Sequence, residues 1–223
     1  MLKNFTLVSF LTLTLMGTAV AQNSEADQMK DPKAKAILDK LSKKNKSYST
    51  IVASFEYNLS NKDAGIDETQ TGTIKLKGDK YNLEMAGQQV ISDGEKIYTY
   101  IPEVEELQIK WAEEDEEAGM ISPSSLFTMY EKGFNYKYDG SKQINGETVE
   151  LIKLFPENAD KPYHTAILQV TKSTTVVRAF EMRGKDGNTY TFTINNFTPN
   201  KPLNDNLFNF DKSKAADVID FTE

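Results

Sequence analysis

The sequence contains no cysteine and only one histidine, His164. The missing thiols exclude a disulfide scaffold, a cysteine nucleophile, an iron–sulfur cluster and a thiolate-bound zinc ion. The single histidine excludes metal sites that need several imidazoles. His164 follows Pro162-Tyr163 at a turn, and no sequence motif supplies a serine or an acid as its catalytic partner. We therefore expect a protein that is not an enzyme and that holds no metal or cofactor; a hydrolase that uses His164 is the alternative.

Positive charge is also scarce. Lysine and arginine together number 26 against 33 aspartates and glutamates, which gives a net charge of −7. A nucleic-acid-binding protein normally carries a basic surface, so we expect no nucleic-acid partner. Apolar residues make up 39% and charged residues 26%, which is typical of a globular chain. The length of 223 residues fits one domain, with two as the upper limit.

Apolar runs of membrane-spanning length are missing as well. Residues 5–16 are apolar but diluted by threonine and serine, and they are too short to span a bilayer comfortably. Lys3 precedes them and Ala19-Val20-Ala21 follows, which is the order of a secretory signal peptide. We predict that residues 1–21 are cleaved and that residues 22–223 form a single exported domain. An uncleaved membrane anchor is the alternative.

One helix is predicted near the start of the exported chain. Asp31-Pro32 is typical of a helix N-cap followed by proline at the first helical position. Ala34, Ile37, Leu38 and Leu41 recur at helical spacing after it. The spacing predicts a helix that begins at Pro32 and ends at about Lys44.

From Ser49 onward, apolar and polar residues alternate with a period of two, which indicates β-strands. Asp93-Gly94 and Asn145-Gly146 stand between apolar segments, as hairpin turns do. About ten strands with short turns predict a mainly β fold, a single curved antiparallel sheet. A closed barrel fits the same pattern.

A sheet of this size needs more apolar cover than two short helices provide, and barrels of this size commonly hold one apolar ligand. We therefore predict a ligand cavity, with ordinary core packing as the alternative. A slip of one residue in strand parity would replace Tyr98 and Tyr100 by Ile97 and Ile101. The predicted lining residues are Phe55, Tyr57, Leu59, Ile74, Leu76, Tyr81, Leu83, Met85, Ile91, Tyr98, Tyr100, Leu107, Ile109 and Trp111.

A short apolar insertion interrupts the strands, and we predict that it is a lid over the cavity. Its apolar residues are Met120, Ile121, Leu126, Phe127, Met129 and Tyr130. An acidic run precedes it, formed by Glu113, Glu114, Asp115, Glu116 and Glu117. This run is either a solvated loop or a docking patch for a basic partner surface, where charge would speed association.

The order of several short blocks resembles the periplasmic outer-membrane lipoprotein carriers of the LolA family. The most specific block is residues 92–102, which combine Ser-Asp-Gly with Tyr-x-Tyr-x-Pro. The resemblance covers most of the exported chain. Its blocks are residues 54–57, 72–77, 81–85, 90–94, 96–102, 122–127 and 206–210.

The resemblance implies a function for the predicted cavity. It implies an incomplete barrel around a helical lid, whose cavity shields the acyl chains of lipoproteins that cross the periplasm of a Gram-negative bacterium. It also implies a monomer that receives acylated lipoproteins from an inner-membrane ABC-type transporter and delivers them to the outer membrane, with or without an acceptor there. The alternative on the same fold is a module that binds free lipid or glycolipid, or that senses lipoproteins.

One position departs from the family pattern. Well-studied members carry an arginine in the turn after the second strand, where it bonds to the lid. This chain has Lys77-Gly78-Asp79 there, and its only arginines are Arg178 and Arg183. Lys77 and Lys80 are the cations available at this turn, so how the lid is held stays open.

Overall fold

The computed structural model describes residues 30–113 and 128–223. The predicted signal peptide, residues 1–21, lies outside the described residues. So does most of the predicted lid and of the acidic run. Among the described residues, no helix has the length and apolar character needed to cross a membrane.

The N-terminal helix, α1, spans Pro32–Asn45, and its predicted bounds are confirmed. Asp31 caps it: the Oδ1 atom accepts hydrogen bonds from the backbone N–H groups of Lys33 and Ala34, at 2.7 and 3.2 Å. The Oδ2 atom accepts a third bond, at 3.1 Å, from the backbone N–H of Tyr138 in the sheet. One carboxylate therefore fixes both the start of α1 and the position of the helix against the sheet.

Removing this cap has a predictable and pH-dependent effect. Burial raises the pKa of Asp31, but the three backbone donors and Lys33 lower it more, so the net pKa lies below the ordinary value. The stabilisation is thus present above the unfolded-state pKa and lost as the pH falls through the folded-state pKa. We expect Asp31→Ala to lower the free energy of unfolding by about 0.5–2 kcal/mol at neutral pH. Urea unfolding measures this change.

Asp31→Asn is the matched control, because its amide oxygen still accepts a hydrogen bond but does not titrate. We expect most of the stability to be kept and its acid-dependent part to disappear. Equal stability of Asp31→Ala and the wild-type chain would contradict the role of the cap.

The sheet consists of twelve strands in the described residues, two more than the sequence indicated. Their order across the sheet is β12-β6-β5-β4-β3-β2-β1-β11-β10-β9-β8-β7. The strands are β1 Ile51–Asn61, β2 Ile66–Lys77, β3 Lys80–Met85, β4 Gln88–Ser92, β5 Lys96–Ile101, β6 Glu106–Trp111, β7 Phe134–Ile144, β8 Glu147–Pro156, β9 Tyr163–Thr171, β10 Val176–Gly184, β11 Thr189–Pro199 and β12 Asp217–Asp220.

The sheet is open, because its order starts at β12 and ends at β7, and in the described part of the chain these two strands do not pair. All neighbouring strands are antiparallel except β12, which lies parallel to β6. Breaks in register, for example between Ser54 and Phe55 and between Val177 and Ala179, bend the strands. The predicted fold class, one curved, mainly antiparallel sheet that forms an incomplete barrel, is confirmed, and the closed-barrel alternative is wrong.

The two faces of the sheet are covered by different ends of the chain. On the inner face, defined here as the face that α1 contacts, Leu38 and Leu41 of the helix are buried in one apolar cluster with the strands. The C-terminal segment is residues 203–223. On the outer face, its residues 203–216 contact β3 at Asn82 and β5 at Tyr100, and the chain then enters the sheet as β12. The segment includes 3₁₀ turns at Asp205–Phe208 and Lys212–Lys214. Phe208 in this segment is fully buried.

Candidate functional site

The strand register divides the fourteen predicted cavity residues between the two faces. Directly paired residues of antiparallel strands point to the same side of a sheet, and neighbours along a strand point to opposite sides. Eight of the fourteen lie on the inner face, on β1, β2 and β3. These residues are Phe55, Tyr57, Leu59, Ile74, Leu76, Tyr81, Leu83 and Met85.

The other six, on β4, β5 and β6, lie on the outer face and so do not line the inner surface. Tyr81 pairs with Ser92, which places the preceding residue, Ile91, on the opposite side. From Ile91 the pairing continues to Tyr98 and then to Ile109. The six residues are Ile91, Tyr98, Tyr100, Leu107, Ile109 and Trp111.

The chain's own C-terminal segment packs on this outer face and covers part of it. The ring of Tyr100 lies 5.0 Å from that of Phe210, and its hydroxyl donates a 3.0 Å hydrogen bond to the carbonyl of Lys214. Asn82, on the same face, donates a 2.7 Å bond to the carbonyl of Leu207. On the inner side of β5 stand Ile97, Thr99 and Ile101, as the alternative strand parity required.

The predicted lid and acidic run are described only at their ends. Met120, Ile121, Leu126 and Phe127 lie outside the described residues, as do Glu114, Asp115, Glu116 and Glu117. Glu113 is exposed. Met129 and Tyr130 belong to the 3₁₀ turn Met129–Glu131, and Tyr130 is buried in the inner-face cluster.

This 3₁₀ turn is fastened to α1. Asn45 donates a 3.1 Å hydrogen bond to the hydroxyl of Tyr130, and Ser42 donates one to Glu131. Lys46 forms an ion pair with Glu131 at 2.7 Å. Burial raises the pKa of Glu131, but Lys46 and Ser42 lower it more, so its net pKa falls below the ordinary value. Glu131 is therefore charged at neutral pH, and the point where the chain leaves the insertion is tied to the helix.

The sequence analysis did not identify a second group of inner-face residues. Strands β10 and β11 present Phe180, Met182, Phe192 and Ile194 to the same side as β1. The signal was present, because residues 189–194 alternate strictly between threonine and an aromatic or aliphatic residue. Together with β1–β4 they leave a set of apolar side chains only partly buried: Tyr57, Leu83, Met85, Val90, Met182, Phe192 and Ile194.

Aromatic rings form the centre of this partly exposed surface. The ring centroid of Phe192 lies 5.0 Å from that of Tyr57 and 6.0 Å from that of Phe55. Burial raises the pKa of Tyr57, and the charges of Tyr190 and Glu68 raise it further. Its hydroxyl is therefore neutral at physiological pH, so this part of the inner face is an uncharged, adaptable apolar surface.

The ring of Phe55 packs closely against β2 because residue 72 is a glycine. A Cβ atom on Gly72 would lie 2.5 Å from the Cζ atom of Phe55 and 3.0 Å from the carbonyl oxygen of Glu84. Real Cβ atoms do not approach another atom as closely as the first distance, and the second is tighter than most contacts, so the glycine provides the space in which the ring packs.

We expect Gly72→Ala to displace the ring of Phe55 and to lower the free energy of unfolding by about 1–3 kcal/mol, the usual cost of overpacking a core. Thermal or urea unfolding measures the loss. The double variant Gly72→Ala/Phe55→Leu lacks the clashing ring atom. We therefore expect it to be more stable than the sum of the two single-substitution effects predicts. Strict additivity of the two substitutions would contradict this contact.

The described residues offer little material for catalysis. His164 is exposed, and its Nδ1 atom lies 2.9 Å from the hydroxyl of Thr165, the next residue in the chain. Within residues 30–113 and 128–223, no three carboxylate or histidine groups converge in a way that would hold a metal ion. What the inner face supplies is contact area for an apolar ligand.

The turn that departs from the family pattern makes a different contact. The Nζ atom of Lys77 pairs with Asp205 at 2.6 Å, which joins the end of β2 to the C-terminal segment. This cation and the adjacent Lys80 together hold the pKa of Asp205 below its usual range.

Comparisons with known proteins agree with this geometry. A protein from Pasteurella multocida named outer-membrane lipoprotein carrier protein is 25% identical over 223 residues and covers 98% of both chains. A protein of the same name from Haemophilus influenzae is 27% identical over 132 residues, 59% of this chain and 60% of its own.

Two solved structures show a similar fold. An uncharacterized conserved protein from Thermus thermophilus has a TM-score of 0.56 at 11% identity, covering 84% of this chain and 99% of its own. The lipoprotein LppX of Mycobacterium tuberculosis has a TM-score of 0.53 at 12% identity, covering 78% and 99%. Residues 46–211 match the family model described as outer membrane lipoprotein carrier protein LolA. Because that match extends over most of the sequence, the chain belongs to the LolA family of outer-membrane lipoprotein carriers.

Proposed function

We propose that this protein is a periplasmic carrier that binds the acyl chains of lipoproteins on its inner face and moves them from the inner to the outer membrane. The observation that carries the proposal is the partly exposed apolar surface of Tyr57, Met85, Met182 and Phe192. A soluble protein normally buries such side chains, and a surface left partly open inside a curved sheet is suited to an apolar ligand.

The energetics of acyl chains explain why a carrier is needed. A chain of about 14 methylenes costs on the order of 11 kcal/mol to expose to water, at ~0.8 kcal/mol per methylene. An acylated protein that left its membrane unaided would return or aggregate. A protein surface offsets this cost but gains little over a bilayer. Loading therefore requires an energy source outside the carrier, and unloading requires only a better sink.

The partners follow from this transport cycle. We propose that an inner-membrane ABC-type transporter supplies the energy for loading and that acylated lipoproteins are the cargo. Export by a cleaved signal peptide, residues 1–21, would place the carrier in the periplasm as residues 22–223. The lid residues around Phe127 would close over the bound chains, and the acidic run from Glu113 to Glu117 would steer the carrier to a basic surface.

A release assay tests the proposal. Purified protein comprising residues 22–223 is added to spheroplasts that synthesise labelled lipoproteins, and the supernatant is examined for a soluble complex. We expect acylated cargo in a one-to-one complex with the carrier. A cargo variant that cannot be acylated is the control, and we expect it to give no complex.

Other results of this assay would favour a different function. Free lipid that copurifies with the protein, without any release of lipoprotein, would favour a lipid-binding or sensing role for the same surface. Absence of both signals would mean that the inner face is only a loosely covered core, and the proposal would be wrong.

A further inference from the structure

The large apolar side chains that are strongly exposed in the described residues are concentrated at one place. They are Val104, Val218, Ile219 and Phe221, with exposed fractions of 60%, 42%, 36% and 60%. Val104 lies in the turn between β5 and β6, and the carbonyl of the next residue, Glu105, accepts a 2.8 Å bond from the backbone N–H of Ala216. The other three belong to β12 or directly follow it. Concentrated apolar exposure of this kind marks interaction sites.

All four residues lie at or beside the free edge of β12. This strand is the last in the sheet and has β6 as its only strand neighbour in the described residues. Val218 pairs with Leu107 and Ile219 with Gln108, so the two side chains point to opposite faces. A surface that is apolar on both faces of an edge fits a strand laid along that edge better than a ligand on either face.

The opposite edge of the sheet is partly covered by residues 30 and 31, whereas β12 is protected only by its shortness and by the aspartates at its two ends. Lys30 forms a bridge with Tyr136 of β7, and the backbone N–H of Asp31 bonds to the carbonyl of the same residue. A break in register near Gly140 interrupts β7 as well. Natural sheets shield their edges with such devices, with proline or with lysine. The four residues of β12, Asp-Val-Ile-Asp, contain neither proline nor lysine.

Charge selects the occupant of this edge. Residues 103–106 and 211–223 carry seven carboxylates against two lysines. A second copy would bring the same excess of carboxylates to the edge, which is unfavourable. An anionic bilayer surface would be repelled as well. A basic, extended polypeptide segment with apolar side chains complements both the charge and the apolar residues.

We propose that the free edge of β12 pairs with an extended, basic segment of an inner-membrane protein that faces the periplasm. This inference rests on the proposed carrier function, because a carrier must visit that membrane. The edge would hold the carrier at the loading site while its inner face takes up acyl chains. Main-chain hydrogen bonds would give affinity, and the carboxylates would give a fast, salt-sensitive approach.

The absence of native cysteine allows the edge to be labelled cleanly. We would place an environment-sensitive fluorophore on Ile219→Cys at β12, and on Lys142→Cys at the opposite edge strand as the matched control. The labelled protein is mixed with right-side-out inner-membrane vesicles of the source organism, before and after protease treatment of the vesicles. Protein-free vesicles containing phosphatidylglycerol, and the labelled protein alone at rising concentration, are the other two arms.

We expect a signal from the Ile219→Cys label with untreated membranes, its loss after proteolysis or in high salt, and no response from the Lys142→Cys label. A response to protein-free vesicles would show lipid binding, and a response to concentration alone would show self-pairing. Either result would overturn the proposal. Equal responses from both labelled edges would overturn it too.

Charge reversal separates this inference from the carrier function. In the labelled Ile219→Cys chain, we expect Asp217→Lys with Glu103→Lys to weaken membrane association about tenfold or more. The same chain should bind a fluorescent long-chain fatty acid as the wild-type protein does, because Asp217 lies at the sheet edge, six strands from β1, and Glu103 lies in the turn between β5 and β6. Unchanged association would overturn the docking edge and leave the carrier function standing. Failure of the unsubstituted chain to bind the fatty acid would overturn both.

Discussion

We expect Phe192→Asp to remove the binding of a fluorescent long-chain fatty acid while the protein stays folded. Phe192 lies between Tyr57 and Phe55 at the centre of the partly exposed inner surface. A carboxylate at this point must keep its hydration, whereas an acyl chain must displace water from the same surface. We expect affinity to fall at least roughly a hundredfold, or about 3 kcal/mol, in a fluorescence titration.

The neighbouring position provides the control for this result. Thr193 follows Phe192 on β11 and points to the outer face, paired with Ala179. Thr193→Asp adds the same charge to the same strand, so we expect it to bind the fatty acid with unchanged affinity. If both variants bind as the wild-type chain does, the inner face is not the ligand site. If both lose binding, the loss reflects damage to the sheet.

Phe208→Ala has the largest expected effect on stability. The side chain is fully buried, and it belongs to the C-terminal segment that covers Ile91, Leu107 and Ile109 on the outer face. Its removal leaves a cavity that the surrounding strands cannot fill. We expect the free energy of unfolding to fall by about 3–5 kcal/mol, as for other buried phenylalanines. Urea unfolding followed by circular dichroism measures this loss.

Phe221→Ala is the contrasting variant in the same segment. Its side chain is 60% exposed, so truncation leaves no cavity. We expect a change within about 0.5 kcal/mol, the range of ordinary surface substitutions. Equal losses from both variants would mean that the C-terminal segment contributes as a whole rather than through Phe208.

The sequence predicted those elements whose residue pattern is set locally or by a single apolar face. Asp31-Pro32 specified the start of α1, because a cap and a proline at the first helical position act locally. Strands β1–β3 alternate clearly, since the inner side of each is apolar and the outer side is mostly polar. The eight predicted cavity residues on these strands therefore came together on the inner face.

The prediction failed where both faces of a strand are apolar. Val90 and Ile91 are adjacent on β4, and so are Ile97 and Tyr98 on β5. In each pair one residue faces inward and the other lies under the C-terminal segment, so alternation carries no information about the side. The cover on the outer face comes from residues about 110 positions later in the chain. A local pattern does not contain that contact.

The aromatic residues of β11 were missed for a different reason. Their alternation was readable, but their place beside β1 was not, because the two strands are far apart in sequence. Likewise, the ring-to-backbone contact of Phe55 and Gly72 depends on the pairing of β1 with β2. The alternation places this glycine on a strand, but its close approach to Phe55 follows only from the register.

The place of β1 in the sheet also determines the order in which the molecule can be built. Strand β1 pairs with β2 on one side and with β11 on the other, so Ile51 lies beside Pro199. In the described residues, strands of the first meander, β1–β6, and of the second, β7–β11, pair with each other only at this seam. Closing it requires a loop of well over a hundred residues, which slows folding. During synthesis the first meander must therefore wait, with one edge open, until nearly the whole chain has emerged.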